Sequence, residues 1–274
     1  MKYVNKNLFL SAIASVVILI ASCSVNKAEI DNSLKKYFDS AHVEGCFSFF
    51  NNATGGVKVY NMEMDTQRFT PASTFKIVNS LIGLETGKIT GEKMMIKWDG
   101  VKRWNDKWNQ DLTLDSAFKF SAVPYFQEVA RRIGKDTMQQ WIDTLGYGNK
   151  DISGAVDSFW LINHLKVSPD EQLGLVRKLF FDKLPFRKGT METVRNIMLR
   201  ENNTLYKLSY KTGWGFDELN RSLGWVVGYI EENRHVYFFV TLIRSDIKDD
   251  DVVGKRMKIT RSILSQYGFF KGEM

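Results

Sequence analysis

The sequence predicts an α/β fold of the α+β type, in which a central antiparallel β-sheet is flanked by helices and a helical segment is inserted. Runs rich in β-branched and aromatic residues occur near both ends of the chain, whereas the stretch between them has helical periodicity. Strands separated in this way pair most economically in one sheet that the terminal helices cover. With 274 residues and 44% hydrophobic content, the chain can bury one large core.

The N-terminal part is predicted to contain a short helix followed by a β-hairpin. Residues 31–40 have helical spacing, with Asp31 or Asn32 as the N-cap. Residues 46–50 and 57–60 are β-rich and are separated by a stretch of Asn, Thr and Gly that is typical of a turn. The two runs are therefore expected to pair as antiparallel strands.

The middle of the chain is predicted to be an all-helical subdomain at roughly residues 89–200. Strand signals nearly vanish there, and helical patterns replace them. These patterns cover residues 125–133, 137–145, 169–181 and 190–199. The subdomain is expected to be an insertion within one domain that spans residues 23–274.

Three strands and one helix are predicted after this segment. The β-rich runs are residues 205–212, 223–230 and 236–244, and the last two flank a hairpin-length turn at 231–234. Residues 254–267 then alternate apolar and basic residues at helical spacing. We expect the three strands to join the N-terminal hairpin in one sheet.

Residues 1–22 have the features of an export signal. Lys2 and Lys6 form its positive end, and residues 8–20 form an apolar core that is short for a membrane span. Cys23 follows Ala21 and Ser22, which resembles the box at which bacterial lipoproteins are cleaved and lipidated. Cleavage by an ordinary signal peptidase nearby is the alternative. The protein is expected to be exported to the periplasm, with membrane anchoring through Cys23 if it is lipidated.

Charge and cysteine content narrow the function classes. The formal net charge is +7, and the signal segment holds two lysines and no acids, so the exported chain keeps +5. Its basic residues form no dense cluster, which argues against nucleic-acid binding and is compatible with a small anionic substrate. If Cys23 is lipidated, Cys46 is the only other cysteine, and no intramolecular disulfide is expected.

A candidate nucleophile and base lie in the best helical pattern of the sequence. Ser73 and Lys76 are three residues apart at its start, so the lysine amine can reach the serine hydroxyl. A serine needs a base to become a nucleophile, and a lysine kept neutral by burial can act as one. Backbone N–H groups of the first turn would face a developing oxyanion. An S-x-x-K pattern alone also fits an ordinary amphipathic helix.

The remaining polar motifs favour lysine over histidine as the base. The three histidines lack a motif-like setting, and His42 and His235 are expected at the surface. Lys211 and Thr212 end a predicted strand, followed by Gly213, and can hold a carboxylate while the glycine lets a substrate backbone approach. S-x-x-K followed by K-T-G is the signature combination of serine β-lactamases and penicillin-binding proteins.

Together these motifs resemble the class D, oxacillinase-type serine β-lactamases. The matching segments are P-A-S-T-F-K at 71–76, L-E-T-G at 84–87, W-D-G at 98–100, S-A-V-P at 121–124, Y-G-N at 147–149, F-W-L at 159–161 and K-T-G at 211–213. The resemblance covers essentially the whole chain after the signal. It implies the serine β-lactamase and penicillin-binding transpeptidase-like fold, in agreement with the pattern above.

The resemblance also implies four catalytic residues. Ser73 would form the acyl-enzyme, and Lys76, carrying CO2 as a carbamate, would be the base in acylation and deacylation. Ser121 would relay a proton to the departing lactam nitrogen, between Lys76 and Lys211; a helix N-cap is its structural alternative. Apart from CO2 held covalently, no cofactor is implied.

Further residues would build the pocket. Trp160 would donate its indole N–H to the carbamate, and Val123 and Leu161 would gate water beside it, although plain core packing also fits these apolar side chains. The backbone N–H of Trp214 would be the second oxyanion donor. Arg256, after the final strand, would join Thr212 in binding the substrate carboxylate. Lys255 and Arg261 are alternatives for this last role.

The leading hypothesis from the sequence is a β-lactam hydrolase that confers β-lactam resistance. Sensor domains share these motifs but trap the acyl form, and they follow several membrane spans, whereas only a signal segment is expected here. A cell-wall transpeptidase or carboxypeptidase is a third alternative, disfavoured by the matches at Tyr147 and Trp160. No His, Cys and carboxylate cluster has metal-ligand spacing, so no metal is expected. The sequence leaves the oligomeric state and the range of β-lactams open.

Overall fold

The computed structural model describes residues 28–247 and 251–271. Its strands are Glu29–Ile30 (β1), Glu44–Asn51 (β2), Gly56–Tyr60 (β3), Met95–Ile96 (β4), Leu112–Thr113 (β5), Leu199–Asn202 (β6), Tyr206–Phe216 (β7), Ser222–Glu232 (β8) and His235–Ser245 (β9). Seven of them form one sheet in the order β1-β3-β2-β9-β8-β7-β6, and β4 pairs with β5. The predicted single sheet, built from the N-terminal hairpin and the three late strands, is confirmed.

The sheet is antiparallel except at one edge, where β1 runs parallel to β3. The edge strands β1 and β6 were not predicted, because two to four residues are too few to show strand periodicity. The tight turn between β8 and β9 agrees with the prediction. Asn233 and Arg234 have φ values of 50° and 66°, as a two-residue turn matched to the twist of a hairpin requires.

Nine α-helices lie within the described residues. They are Lys35–Ser40 (α1), Met62–Thr66 (α2), Lys76–Glu85 (α3), Leu114–Lys119 (α4), Val123–Ile133 (α5), Lys135–Leu145 (α6), Pro169–Phe180 (α7), Lys188–Met198 (α8) and Val252–Gln266 (α9). Short 3-10 turns precede α1 and α3. The predicted cap of the first helix is Asp31, whose side chain accepts a hydrogen bond from the Ser33 N–H.

The two faces of the sheet bury two separate cores. Alternate residues of a strand point to opposite faces, so Phe239 packs with α1 and α9, whereas Phe238 packs with the larger cluster. Helix α7 covers this second face, where the Phe180 ring contacts the rings of Tyr229 and Phe238. Helices α3 to α8 thus extend the larger core away from the sheet, and α3 begins close to β7.

The predicted signal at residues 1–22 and Cys23 lie outside the described residues. Within the ranges 28–247 and 251–271, the helices are all too short or too polar to cross a membrane.

Candidate active site

Ser73 and Lys76 lie at the start of the nucleophile helix. The 3-10 turn Ala72–Phe75 carries Ser73, and Lys76 opens α3. Lys76 Nζ donates a hydrogen bond to Ser73 Oγ at 2.7 Å. The preceding residue, Ala72, has φ 48°, a left-handed conformation that is costly for a residue with a Cβ and is typical of functional sites. The contact predicted from the spacing of the two residues is present.

The surroundings of Lys76 favour its neutral amine. The side chain is fully buried, and this burial lowers the pKa of Lys76 to about 7. Its Nζ lies 5.4 Å from the centre of the Phe126 ring. Phe126 was not predicted as a neighbour, because its only signal was a place on the apolar side of α5. A large fraction of Lys76 is therefore neutral near pH 7, as a base or a CO2 acceptor requires.

Trp160 supplies an unpaired donor to the same apolar cluster. Its side chain is fully buried and stacks on Phe75, with 5.3 Å between the ring centres. Within the described residues, Trp160 Nε1 has no hydrogen-bond acceptor. A buried donor without an acceptor is rare and costs about 1–3 kcal/mol. A buried neutral amine, and an unsatisfied indole donor stacked on the adjacent residue Phe75, fit the carbamate that the sequence resemblance implies on Lys76.

A second hydroxyl and amine pair joins the helical region to the sheet. Lys211 Nζ donates to Ser121 Oγ at 2.9 Å and to the Thr212 carbonyl at 2.8 Å. Burial lowers the pKa of Lys211 well below its ordinary value, and the positive charges of Lys76, Arg200 and Arg256 lower it further. Ser121 has φ 55°, so its backbone is held in a strained conformation that aims the hydroxyl at Lys211.

A cavity of about 560 Å³ opens above these two pairs. Seven residues that the sequence analysis singled out line it: Ser73, Ser121, Val123, Leu161, Thr212, Trp214 and Arg256. Lys76 and Lys211 are buried and bond Ser73 and Ser121 of this wall, and the buried Trp160 precedes Leu161 in the chain. The structure thus brings the predicted pocket residues together, whereas Cys23 lies outside the described residues.

Comparison with known proteins gives a consistent result. The penicillin binding protein transpeptidase domain family matches residues 31–265. The probable beta-lactamase YbxI of Bacillus subtilis (strain 168) is 40% identical over 245 residues, which are 89% of this chain and 86% of that protein. The crystal structure of FUS-1 (OXA-85), a class D beta-lactamase from Fusobacterium nucleatum subsp. polymorphum, superposes with a TM-score of 0.84 at 36% identity, covering 89% of this chain and 100% of that one. The chain belongs to the class D β-lactamases.

One relative is a regulatory protein. The regulatory protein BlaR1 of Bacillus licheniformis is 33% identical over 234 residues, which are 85% of this chain but 38% of that protein. A region similar to this chain therefore also occurs within a longer regulatory protein.

The glycine of K-T-G also allows a close approach within the protein itself. A Cβ on Gly213 would lie 3.0 Å from the Pro71 carbonyl oxygen and 3.2 Å from Thr74 Cγ2. The close approach is therefore made by the protein's own nucleophile turn, not only by a substrate. Strand β7 therefore packs directly on the turn that carries Ser73.

Of the three basic residues considered for carboxylate binding, Arg256 is the one that lines the cavity. Arg256 Nη1 donates to the Gly213 carbonyl, while Nε has no partner within the described ranges. Burial lowers the pKa of Arg256 to about 10, so the guanidinium stays positive at neutral pH. Arg261 instead pairs with Glu201, with Nη1 to Oε1 at 2.6 Å.

Several lining residues were missed or only partly anticipated. Trp108, Phe120 and Lys119 also face the cavity, but no motif in the sequence predicts a site role for them. Isolated aromatic residues in loops and at helix ends have no periodicity that assigns them to a pocket.

His42 and His235 are exposed, as predicted. In residues 28–247 and 251–271, no three His, Cys, Asp or Glu side chains cluster as metal ligands would.

Proposed function

We propose that the protein hydrolyses β-lactam antibiotics through an acyl-enzyme on Ser73, with the base on Lys76. The observation that carries this proposal is the 2.7 Å contact between Ser73 Oγ and a fully buried Lys76 whose pKa burial lowers to about 7. Ser73 faces the cavity, so its hydroxyl can reach the carbonyl carbon of a bound lactam.

Acylation uses the Ser73–Lys76 pair and the Ser121–Lys211 pair. Ser73 Oγ bonds to the lactam carbonyl carbon while its proton passes to the base on Lys76. The oxyanion faces the backbone N–H groups of Ser73 and Trp214. When the ring C–N bond breaks, the nitrogen takes a proton from Ser121 Oγ, which takes one from Lys211 Nζ.

Deacylation needs a base that remains in place after the leaving group has been protonated. Reaction of CO2 with the neutral Lys76 amine would supply a carboxylate that activates water for this step. Trp160 would donate its free N–H to that group, and Val123 and Leu161, at the cavity wall, would control the entry of water.

We also propose export to the periplasm, with anchoring through a lipid on Cys23.

Pre-steady-state kinetics with a chromogenic cephalosporin test hydrolysis directly. We expect turnover to continue far beyond one equivalent of product per protein. The rival function is β-lactam sensing, which the regulatory relative favours, and it would give a single stoichiometric burst followed by a stable acyl-protein. A stalled burst in buffer that contains bicarbonate would contradict the hydrolase.

Arg256→Ala is expected to raise KM about 30-fold and to change kcat less than about threefold. A contact with the substrate carboxylate exists in both the ground state and the transition state, so its loss weakens binding uniformly. Steady-state kinetics with a penicillin measure both constants. Arg261→Ala, which removes a neighbouring arginine paired with Glu201, is the control and should leave KM unchanged. A fall in kcat at constant KM would assign the carboxylate contact elsewhere.

Trp160→Phe is expected to make activity depend more strongly on bicarbonate. The phenyl ring keeps the stacking on Phe75 but removes the free indole donor of Trp160, so the group on Lys76 is held less tightly. Initial rates in degassed buffer near pH 6, measured against bicarbonate concentration, should give a half-saturating concentration about tenfold higher than that of the wild type.

Trp225→Phe is the matched control for this variant. It removes a buried indole donor that already has an acceptor within the protein, the Thr70 carbonyl at 3.0 Å. A wild-type rate indifferent to bicarbonate, with no carbamate signal from 13C-labelled CO2, would leave a plain amine as the base.

A further inference from the structure

A β-bulge at Arg200 lies at the edge of the sheet next to the K-T-G strand. Leu199 pairs with Ser209 and Glu201 pairs with Leu208, so Arg200 is the extra residue of β6. Bulges occur beside active sites, where they redirect a side chain. Here the guanidinium of Arg200 lies 5.4 Å from the centre of the Phe118 ring.

The Phe118 ring also contacts the amine of Lys211. Lys211 Nζ lies 5.6 Å from the ring centre, and Phe118 is fully buried. One aromatic ring thus contacts two cations, of which one, Lys211, bonds the cavity residue Ser121. Arg200 itself is not among the residues that line the cavity, so it does not reach a substrate directly.

The charge of Arg200 is not neutralised by an ion pair. Among the described residues, its side chain makes neither a salt bridge nor a hydrogen bond to another side chain. Burial lowers the pKa of Arg200, and the nearby Tyr210 and Asp115 offset this only in part. The groups that act on Lys211 are the cations Lys76, Arg200 and Arg256, and no carboxylate is among them.

We propose that Arg200 is a positioning residue for Lys211, holding the Phe118 ring against the lysine and keeping a permanent positive charge behind it. This inference rests on the proposed function, because it concerns the proton delivered to the departing lactam nitrogen. As the C–N bond breaks, Ser121 Oγ gives its proton to nitrogen and takes one from the Lys211 ammonium, which becomes a neutral amine. Repulsion from Arg200 favours that loss of charge.

Arg200 is assigned this role because the other cations near Lys211 have roles of their own. Lys76 contacts Ser73, and Arg256 lines the cavity and bonds Gly213. Among the described residues, Arg200 contacts the Phe118 ring from a bulged position of β6 and makes no side-chain hydrogen bond or salt bridge. The predicted consequence is a change in the pH dependence of the reaction, with little change in substrate binding.

The pH profile of kcat/KM, measured at saturating bicarbonate, tests this role. We expect Arg200→Gln to move the alkaline limb to higher pH, because Lys211 then keeps its proton more strongly, and to lower kcat/KM at pH 7 about tenfold. KM should stay near the wild-type value. Arg200→Lys, which retains the charge, should restore the alkaline limb. An unchanged alkaline limb in a folded Arg200→Gln protein would overturn the proposal.

Arg177→Gln is the matched control. Arg177 also stacks on a phenylalanine, with its guanidinium 3.3 Å from the ring centre of Phe50, so the substitution removes the same charge and the same kind of contact on α7. The Arg177→Gln substitution should leave the pH profile of kcat/KM unchanged. Thermal unfolding of every variant checks that each one is folded.

A second measurement is independent of turnover. The titration of Lys211 can be followed by NMR with 13Cε-labelled lysine, with Lys211→Arg used to assign the signal. Arg200→Gln should move the midpoint to higher pH, whether or not the protein turns over a β-lactam. A midpoint equal to that of the wild type would contradict the role of Arg200 but not the proposed hydrolysis. A shifted midpoint together with a stalled burst would support the role of Arg200 and contradict the proposed hydrolysis.

Discussion

Ser73→Ala is expected to abolish both β-lactam hydrolysis and covalent labelling by a penicillin, with kcat reduced about 10⁵-fold or more. Among the described residues that line the cavity, Ser73 is the hydroxyl with the amine of Lys76 at hydrogen-bond distance. Without the Ser73 hydroxyl no acyl-enzyme forms. The residual rate of hydrolysis is then that of a pocket that binds the β-lactam but has no nucleophile. Intact-protein mass spectrometry after incubation with penicillin, together with steady-state rates, measures both effects.

Ser80→Ala is the control for this loss. Ser80 is buried on the same helix, but its hydroxyl donates to the Lys76 carbonyl at 2.7 Å rather than facing the cavity. The variant should be labelled as fast as the wild type. Stable labelling of Ser73→Ala at another serine, Ser121 included, would overturn the assignment of the nucleophile.

Lys76→Ala is expected to lower the acylation rate about 10³-fold and the deacylation rate still more, so that any acyl-enzyme formed persists for hours. The same group serves as the base in both steps, and among the described residues no other amine or carboxylate bonds Ser73 Oγ. Stopped-flow acylation and timed mass spectra separate the two rates. Lys88→Ala, at an exposed lysine just beyond α3, should change neither.

The pH dependence of the wild type follows from the same residue. Burial lowers the pKa of Lys76 to about 7, so the neutral fraction falls as pH drops, to about a tenth at pH 6. Activity should therefore decline on the acid side through pH 7, and bicarbonate should recover part of it. If Lys76→Ala deacylated at the wild-type rate, the base would have to be another group.

Much of the fold could be predicted because its signals are local. The hairpin around residues 51–56, the three late strands and the last helix have the expected periodicities and turn residues, and their pairing in one sheet is the economical solution. The contact between Ser73 and Lys76 could be predicted too, since it depends only on helical spacing.

The rest depends on contacts between distant segments. Phe126 and Lys76 come from different helices, and Arg200 acts through a bulge whose register no single strand encodes. Gly213 could be predicted as a point of close approach, but the approaching group, the Pro71 carbonyl, is given only by tertiary packing. Local periodicity does not carry such information, because it describes which face of an element is buried and not what it meets there.

The burial of Lys76 also has a thermodynamic consequence for the whole molecule. In the unfolded chain this lysine has its ordinary pKa of 10.5, whereas in the folded protein the value is about 7. The unfolded state therefore binds more protons between these values, and the contribution of Lys76 to the free energy of unfolding rises with pH across that window and is smallest below it. A molecule that combines only with the folded, neutral amine stabilises the fold by mass action. Dissolved CO2 would then raise the melting temperature of the protein as well as its rate of β-lactam hydrolysis.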